Sequence, residues 1–177
     1  MRQDSKEKDM LKGTEIDNTN ADKIMNLLMV NNVTIGLAES ISAGGVTHRL
    51  SSIPGSSKVL KGAVACYTRH AKEKILGVPS QLLDEQGTVS SDVAMALAEG
   101  ALKVFDADFG FGVTGNAGPT TDSDQSKVGE VYMAIVSKDG EVHAKEFDLF
   151  GDRETMRAKS ITESLRMIRE FLLDRYM

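Results

Sequence analysis

The chain has 177 residues, of which 41% are hydrophobic and 27% are charged, and its formal net charge is −5. This length allows one domain with a substantial core, and the composition is that of a soluble globular protein. The negative balance excludes a global basic field. We therefore expect no nucleic-acid partner, and any anionic ligand must be held by a few local positive groups.

Targeting and membrane signals are also missing from the sequence pattern. The longest apolar runs, such as residues 24–30, are far too short to span a bilayer. Residues 1–19 are polar and charged, lack the apolar core of a signal peptide, and are expected to be a flexible tail. Cys66 is alone, so no disulfide framework is expected. We predict a cytoplasmic protein without a membrane partner, folded over residues 20–177.

Hydrophobic periodicity switches between helix and strand along the chain. Asp139 and Gly140, between two alternating runs, are a type I′ hairpin signal. Strands mixed with helices and a late hairpin predict one three-layer α/β/α domain with a mixed sheet. In chain order, we predict a helix at 21–31, a strand at 33–37, a helix at 42–51, a strand at 59–67, a helix at 69–76, a short helix or turn at 80–86, a helix at 92–104, a strand at 108–114, the hairpin strands 128–137 and 142–149, and a helix at 153–175.

Apparent cofactor and metal motifs in the sequence lack the surrounding structure or the spacing that such sites require. Residues 110–115, GFGVTG, match G-x-G-x-x-G, but they lie inside a strand and open no helix, as a dinucleotide site requires. His48, His70 and His143 have no metal-ligand spacing. We therefore predict neither a cofactor nor a metal.

The first predicted strand ends near a serine that is either a nucleophile or only a helix cap. At a strand-to-helix corner the following backbone amides are unpaired. Ser42, Ala43, Gly44 and Gly45 have little side chain to shield them, so these amides could stabilise an oxyanion beside Ser40. Capping serines are common, however, and the local sequence leaves both interpretations open.

A serine nucleophile needs a base, and residues 67–72, YTRHAK, offer one. Tyr67 ends a predicted strand, and Lys72 lies in the first turns of a helix. A lysine is a base only when neutral, which near neutral pH requires its pKa to fall by roughly 2–3 units from about 10.4. Burial and nearby positive charge can supply such a fall. The alternative is that Lys72 forms a solvated helix face with Glu73 and Lys74.

Six motifs stand in a fixed order along the chain. They are LAESISAGG at 37–45, IPGSSKVLKGAVACYTRHAKEKILGV at 53–78, GTVSSDVAMALAEGA at 87–101, VTGNAGP at 113–119, VGEVYMAI at 128–135 and GDRETMR at 151–157. In order and spacing they resemble the motifs of one family, the C-terminal domain of the competence/damage-inducible protein CinA, also described as nicotinamide-mononucleotide amidases. The resemblance covers roughly residues 21–175.

This resemblance implies a cytoplasmic hydrolase of pyridine-nucleotide recycling in NAD metabolism, which deamidates nicotinamide mononucleotide to nicotinate mononucleotide and ammonia. It makes Ser40 the nucleophile and Lys72 its general base, with Tyr67 assisting or orienting. An acyl-enzyme on Ser40 would release ammonia and then be hydrolysed. The remaining implied contacts are the oxyanion amides of Ser42, Ala43 and Gly44, the nucleotide-holding Thr114, Gly115 and Gly118, and the phosphate-binding Arg153 and Arg157.

Departures from the family pattern support two other hypotheses. Arg69 stands where the family has asparagine, Ala43 replaces a glycine, and residues 120–127 replace a glycine-rich loop with one that carries two carboxylates. One alternative is a catalytically silent CinA-like module that binds a nucleotide or a protein partner. The other is a serine–lysine amidase acting on another small amide. For the enzyme we expect a small-molecule nucleotide substrate, and we expect the chain to form a homo-oligomer.

Overall fold

A five-stranded sheet lies between two layers of helices in the computed structural model, which describes residues 19–121 and 126–177. This confirms the predicted α/β/α domain with a mixed sheet. The predicted tail lies outside the described residues, apart from Thr19, which is already helical. The elements are α1 (19–30), β1 (Ile35–Glu39), α2 (Gly45–Ser51), a 3₁₀ helix (Ser56–Lys58), β2 (Leu60–Ala65), α3 (Arg69–Leu76), α4 (Ser80–Gln86), α5 (Ser91–Phe105), β3 (Phe109–Gly115), β4 (Glu130–Ser137), β5 (Val142–Asp148) and α6 (Arg153–Tyr176).

The sheet order β2-β1-β3-β4-β5 places three parallel strands side by side. β1 pairs in parallel with both β2 and β3, whereas β4 and β5 are antiparallel. The connection from β1 to β2 runs through α2, and that from β2 to β3 runs through α3, α4 and α5 on the other face. Connections that leave a sheet on opposite faces open a crevice at the carboxyl edge of the strands, where ligands commonly bind.

The two faces of the central strands pack differently. Ile35, Leu37, Phe109 and Phe111 are buried in a large core with α1, α2 and α6. The alternate positions face α5, and two of them are glycines of the GFGVTG segment. A Cβ on Gly110 would lie 1.9 Å from the carbonyl oxygen of Ala98, so α5 rests almost directly on the strand backbone. Gly110 and Gly112 therefore serve helix packing.

The first strand and the helix after it begin later than predicted. The strand was predicted at 33–37 but spans Ile35–Glu39, because it is paired on both sides as far as Glu39. The helix was predicted from residue 42 but begins at Gly45, because Ala43 (φ 51°) and Gly44 (φ 89°) have left-handed backbones that a right-handed helix cannot contain. Ser40 therefore opens a turn.

The predicted hairpin is confirmed, but its type I′ turn is wrong. β4 and β5 pair in antiparallel register, and the N–H of Ser137 donates to the carbonyl of Glu141 across a three-residue loop. A type I′ turn needs positive φ at both central residues. Here Gly140 has a positive φ (93°) and Asp139 does not. The additional loop residue, Lys138, allows the glycine alone to supply the left-handed position.

The longest described helix, α6, covers one face of the sheet. Met156, Leu165, Ile168 and Leu172 are buried against it at helical spacing. The remaining faces of α6 carry charged residues. None of the helices within 19–121 and 126–177 combines the length and the apolar character needed to cross a membrane.

The close contact between α5 and β3 predicts that Gly110→Ala destabilises the protein strongly. A methyl group 1.9 Å from a carbonyl oxygen forces the helix off the sheet, and we expect the free energy of unfolding to fall by about 3 kcal/mol or more. Gly77→Ala is the control, because Gly77 has open space around it and a φ of 68°, so only backbone strain of about 1 kcal/mol is expected. Urea unfolding measures both. Equal losses in the two variants would contradict this packing.

Candidate active site

The carboxyl edge of the parallel strands brings the predicted nucleophile and base together. Ser40 follows β1 directly, and Lys72 lies in the first turns of α3, after β2. Nζ of Lys72 lies 3.1 Å from Oγ of Ser40 and 2.9 Å from the carbonyl oxygen of Cys66. Lys72 is only 1% exposed, so the alternative of a solvated helix face is wrong for this residue. Ser40 is half-buried and lines an open cleft.

Local helix geometry explains why Lys72 points inward. Thr68 caps α3, its hydroxyl accepting from the N–H of Ala71 at 3.2 Å. This start places Lys72 and Leu76, four residues apart, on the buried face, and leaves Lys74 exposed. Removing an amine from water disfavours its protonated, charged form. Burial thus supplies one condition for the neutral form that a lysine base requires.

The thiol of Cys66 lies beside this pair but is a poor nucleophile. Its Sγ is 3.9 Å from Nζ of Lys72 and donates to the carbonyl of Glu39 at 3.5 Å. Burial raises the pKa of the Cys66 thiol above its ordinary value, and a proton on Lys72 would offset only part of this. The thiol therefore stays protonated at neutral pH, and Ser40 is the better-placed nucleophile.

A fully buried carboxylate, that of Glu39, lies next to Ser40 and was not among the residues predicted from the sequence. Oε2 of Glu39 accepts from the hydroxyl of Ser42 at 2.7 Å and from the N–H groups of Gly44 and Val46 at 3.0 and 3.1 Å. Oε1 accepts from the N–H and the hydroxyl of Thr47 at 2.8 and 2.5 Å. Glu39 therefore caps the start of α2. An acidic residue inside an apolar strand was the available signal, because buried carboxylates are almost always paired.

These bonds change which backbone amides can face an oxyanion. The predicted donors were the amides of Ser42, Ala43 and Gly44. The Ala43 N–H donates to the carbonyl of Ser40 at 3.1 Å and the Gly44 N–H donates to Glu39, so neither is available. Among the hydrogen bonds of the described residues, none uses the N–H of Ile41 or of Ser42. The candidate donors are therefore Ile41, which lines the cleft, and Ser42, which is 1% exposed and is not among the lining residues.

The cleft beside Ser40 has a volume of about 260 Å³ and is lined by seven of the eleven predicted site residues. Its walls also contain Ile41, Thr88, Val89 and Ser126, which carried no chemical signature in the sequence. Thr88, Val89 and Ser126 come from turns that only the fold brings to this edge. Residues predicted from the sequence that line it are Ser40, Tyr67, Lys72, Thr114, Gly115, Gly118 and Arg153.

The buried hydroxyl of Thr114 is oriented by its neighbour. It donates to the carbonyl of Thr88 at 2.7 Å, and the residue is 1% exposed. A hydroxyl has one proton, so toward the cleft the Thr114 oxygen can only accept. This wall therefore suits a ligand that presents an N–H or O–H donor.

Arg153 joins two walls of the cleft. One of its terminal nitrogens donates to the carbonyl of Gly118 at 2.6 Å, and the other donates to the hydroxyl of Tyr67 at 2.9 Å. Tyr67 thus contacts Arg153 rather than Ser40 or Lys72, and its own O–H proton is left for a ligand. A catalytic role for Tyr67 stays a prediction.

Two arginines considered at the sequence level lie outside the cleft lining. Arg157 is one turn further along α6 than Arg153, and its Nε is buried with no acceptor within the described part of the chain. One helical turn, about 5.4 Å along the helix axis, separates Arg157 from Arg153, and only Arg153 lines the cleft where the resemblance implied both arginines would bind phosphate. Arg69 turns toward α4, with ion pairs of 2.8 Å to Glu73 and 2.7 Å to Asp84. The departure at Arg69 therefore does not alter the cleft walls.

Comparisons with known proteins agree with this architecture. The CinA-like protein of Geobacter sulfurreducens is 38% identical over 159 residues, which are 90% of this chain and 38% of that protein. The CinA-like protein of Fervidobacterium nodosum is 36% identical over 152 residues, 86% of this chain and 37% of that protein. The chain thus spans less than two-fifths of the length of these curated relatives.

A solved structure and a family model cover most of the chain. The crystal structure of the competence/damage inducible protein CihA from Agrobacterium tumefaciens is 32% identical, with a TM-score of 0.81 over 86% of this chain and 93% of that one. The family model described as CinA C-terminal domain matches residues 17–172. With the fold and the motif order in agreement, the chain belongs to the CinA C-terminal domain family.

Proposed function

We propose that the chain is a serine–lysine amidohydrolase that converts nicotinamide mononucleotide to nicotinate mononucleotide and ammonia. The observation that supports this most directly is the buried amine of Lys72, 3.1 Å from the hydroxyl of Ser40 at the edge of a cleft. A neutral amine at hydrogen-bond distance can take the proton of an attacking hydroxyl. The reaction would serve the recycling of pyridine nucleotides.

In the proposed mechanism, Lys72 accepts the Ser40 proton as Oγ attacks the carboxamide carbon. The oxyanion that develops receives hydrogen bonds from the N–H groups of Ile41 and Ser42. Protonated Lys72 then passes the proton to the amide nitrogen, the C–N bond breaks and ammonia leaves. Water hydrolyses the resulting ester with Lys72 again acting as base, which returns the Ser40 hydroxyl and releases the acid.

The polar walls supply the proposed substrate contacts. Thr114, whose proton is already donated to Thr88, accepts from the N–H of the carboxamide. Arg153 is the charged group beside the glycine turn. In the proposal, Arg153 gives up its hydrogen bond to the carbonyl of Gly118 and donates to a phosphate oxygen instead, because a hydrogen bond to a charged acceptor is stronger than one to a neutral carbonyl. Tyr67 keeps a free O–H to donate to the same ligand.

Replacing the nucleophile or the base tests this proposal. We expect Ser40→Ala to lower ammonia release from nicotinamide mononucleotide by at least about 10³-fold, since attack then falls to water. Lys72→Met should lower it by about 10²- to 10⁴-fold, the usual worth of a general base. Lys74→Met, an exposed position on the same helix, is the matched control and should keep the wild-type rate.

The same assay separates the three hypotheses. Wild-type ammonia release that survives in Ser40→Ala contradicts the serine mechanism. A wild-type protein inactive on nicotinamide mononucleotide, but forming a Ser40 acyl adduct with a panel of other small amides by mass spectrometry, supports an amidase of different specificity. Absence of turnover and of adducts supports the silent binding module.

Arg69 provides a second test, directed at the departure from the family pattern. We expect Arg69→Asn, which restores the family residue, to leave kcat and KM within about threefold of wild type, because Arg69 pairs with Glu73 and Asp84 outside the cleft. Steady-state kinetics measures both constants. A tenfold or larger change in either one would show that Arg69 acts on the substrate.

The buried thiol gives a pH-dependent prediction. Burial raises the pKa of Cys66 above 9.0, so the folded protein holds a protonated thiol that is slow to alkylate near neutral pH. The sign follows from linkage: the unfolded chain loses this proton first, so the contribution of the thiol to stability is present below pH 9.0 and lost as the pH rises above it.

Iodoacetamide and mass spectrometry measure this reactivity, because Cys66 is the only cysteine. The folded protein should resist alkylation at pH 7 and should become reactive only at a higher pH than the urea-unfolded protein, because burial raises the pKa of the thiol. Cys66→Ala should keep most of the ammonia release, since Lys72 bonds to the backbone carbonyl. Rapid modification at pH 7 with loss of activity would point to a thiol nucleophile instead.

A further inference from the structure

We propose that Glu39 is a positioning residue for Ser40: its buried carboxylate holds the turn of residues 40–44 in the one shape that faces the Ser40 hydroxyl toward Lys72 and leaves the amides of Ile41 and Ser42 unbonded. This inference rests on the proposed serine–lysine mechanism. Glu39 does not itself touch the substrate in that mechanism, and its effect is transmitted through the turn.

The hydrogen bonds of Glu39 require the ionised carboxylate. It accepts five hydrogen bonds, all from neutral backbone or hydroxyl groups of Ser42, Gly44, Val46 and Thr47. A carboxylate has acceptor sites on both oxygens and no donor. A side-chain amide would turn an N–H₂ group toward N–H donors of the turn. Because Glu39 is 0% exposed, water cannot replace the bonds that such a change removes.

Backbone strain in the turn explains why an anchor is needed. Ala43 has a φ of 51°, a left-handed conformation that disfavours any residue with a Cβ. Conformations of this kind persist only where the surrounding structure over-determines them. Glu39 bonds to residues on both sides of Ala43, to the hydroxyl of Ser42 and the N–H of Gly44. With alanine in place of the glycine found in the family pattern, this chain depends on that anchor more strongly.

The anchor also decides which amides remain for the oxyanion. The N–H groups of Gly44, Val46 and Thr47, at the start of α2, all point to Glu39. Ser40 is held from the other side, where its N–H donates to the carbonyl of Val113 at 3.0 Å. Between these two fixed ends, only the N–H groups of Ile41 and Ser42 lack an acceptor among the described residues. Weakening the hydrogen bonds to Glu39 frees N–H groups that compete with those of Ile41 and Ser42 for the oxyanion, and it lets Ser40 move.

The test compares Glu39→Gln with Asp108→Asn, an equivalent change at the opposite end of β1. Asp108 accepts from the N–H and the hydroxyl of Thr34 at 2.8 and 2.7 Å, so its loss also weakens the sheet but at the edge far from Ser40. For Glu39→Gln we expect kcat for ammonia release to fall by about 10- to 100-fold, the cost of a small misplacement, with KM changed less than about threefold. Asp108→Asn should keep both constants.

Labelling of Ser40 by a fluorophosphonate probe gives a readout that does not depend on the substrate. Glu39→Gln should be labelled about 10- to 100-fold more slowly than wild type, the same factor as the expected fall in kcat. The rates are compared at pH values where labelling of the wild-type protein has reached its plateau. Circular dichroism shows whether each variant is folded. If Glu39→Gln fails to fold, Thr47→Val removes one hydroxyl donor of the same network, and should slow labelling, while Thr47→Ser should restore the wild-type rate.

The outcomes distinguish the two proposals. Folded Glu39→Gln or Thr47→Val protein that labels at the wild-type rate overturns the role of Glu39. Equal slowing in Asp108→Asn also overturns it, because the effect is then general destabilisation. Wild-type protein that labels at Ser40 but releases no ammonia from nicotinamide mononucleotide rejects the proposed substrate and leaves the labelling comparison intact. Wild-type protein that does not label rejects both.

Discussion

The burial of one amine is the constraint on which the proposed site depends. Lys72 is almost fully removed from water, yet its Nζ lies within hydrogen-bond distance of Ser40 and of the Cys66 carbonyl. Keeping a charge there is costly, so burial favours the neutral base. Three features hold it in place: the Thr68 cap that starts α3, the end of β2 that presents the carbonyl, and the end of β1 that presents the hydroxyl.

The opposite problem, a buried carboxylate, is solved a few residues away by neutral donors. Glu39 is as deeply buried as Lys72, but it is compensated by backbone amides and hydroxyls at the start of α2. The same short turn therefore ends a strand, caps a helix and presents Ser40. On the far side of the sheet, glycines let α5 lie directly on β3, which completes the packing beneath the cleft.

Fold class and element order could be predicted from the sequence, because they depend on hydrophobic periodicity. The pairing of Ser40 with Lys72 was implied only by the resemblance to a family, because the local sequence left both residues open to structural interpretations. The sequence pattern gave wrong element boundaries and side-chain positions where these depended on the surroundings of a single residue. Pairing on both sides carried β1 to Glu39, and left-handed backbones at Ala43 and Gly44 delayed α2. One helical turn took Arg157 out of the cleft lining, and ion pairs with α4 turned Arg69 away from it.

By itself, the sequence predicted that a serine stands between a strand and a helix, that a tyrosine ends the next strand with a lysine in the helix after it, and that a glycine turn follows the third strand. These are properties of neighbours along the chain. Only the tertiary structure decided that Lys72 is buried rather than solvated and that Glu39 accepts hydrogen bonds from the first N–H groups of α2. It also decided that the N–H groups of Ile41 and Ser42 have no acceptor among the described residues. The reason is physical: exposure, and competition for hydrogen-bond donors, are set by groups that are distant in sequence and meet only when the sheet is assembled.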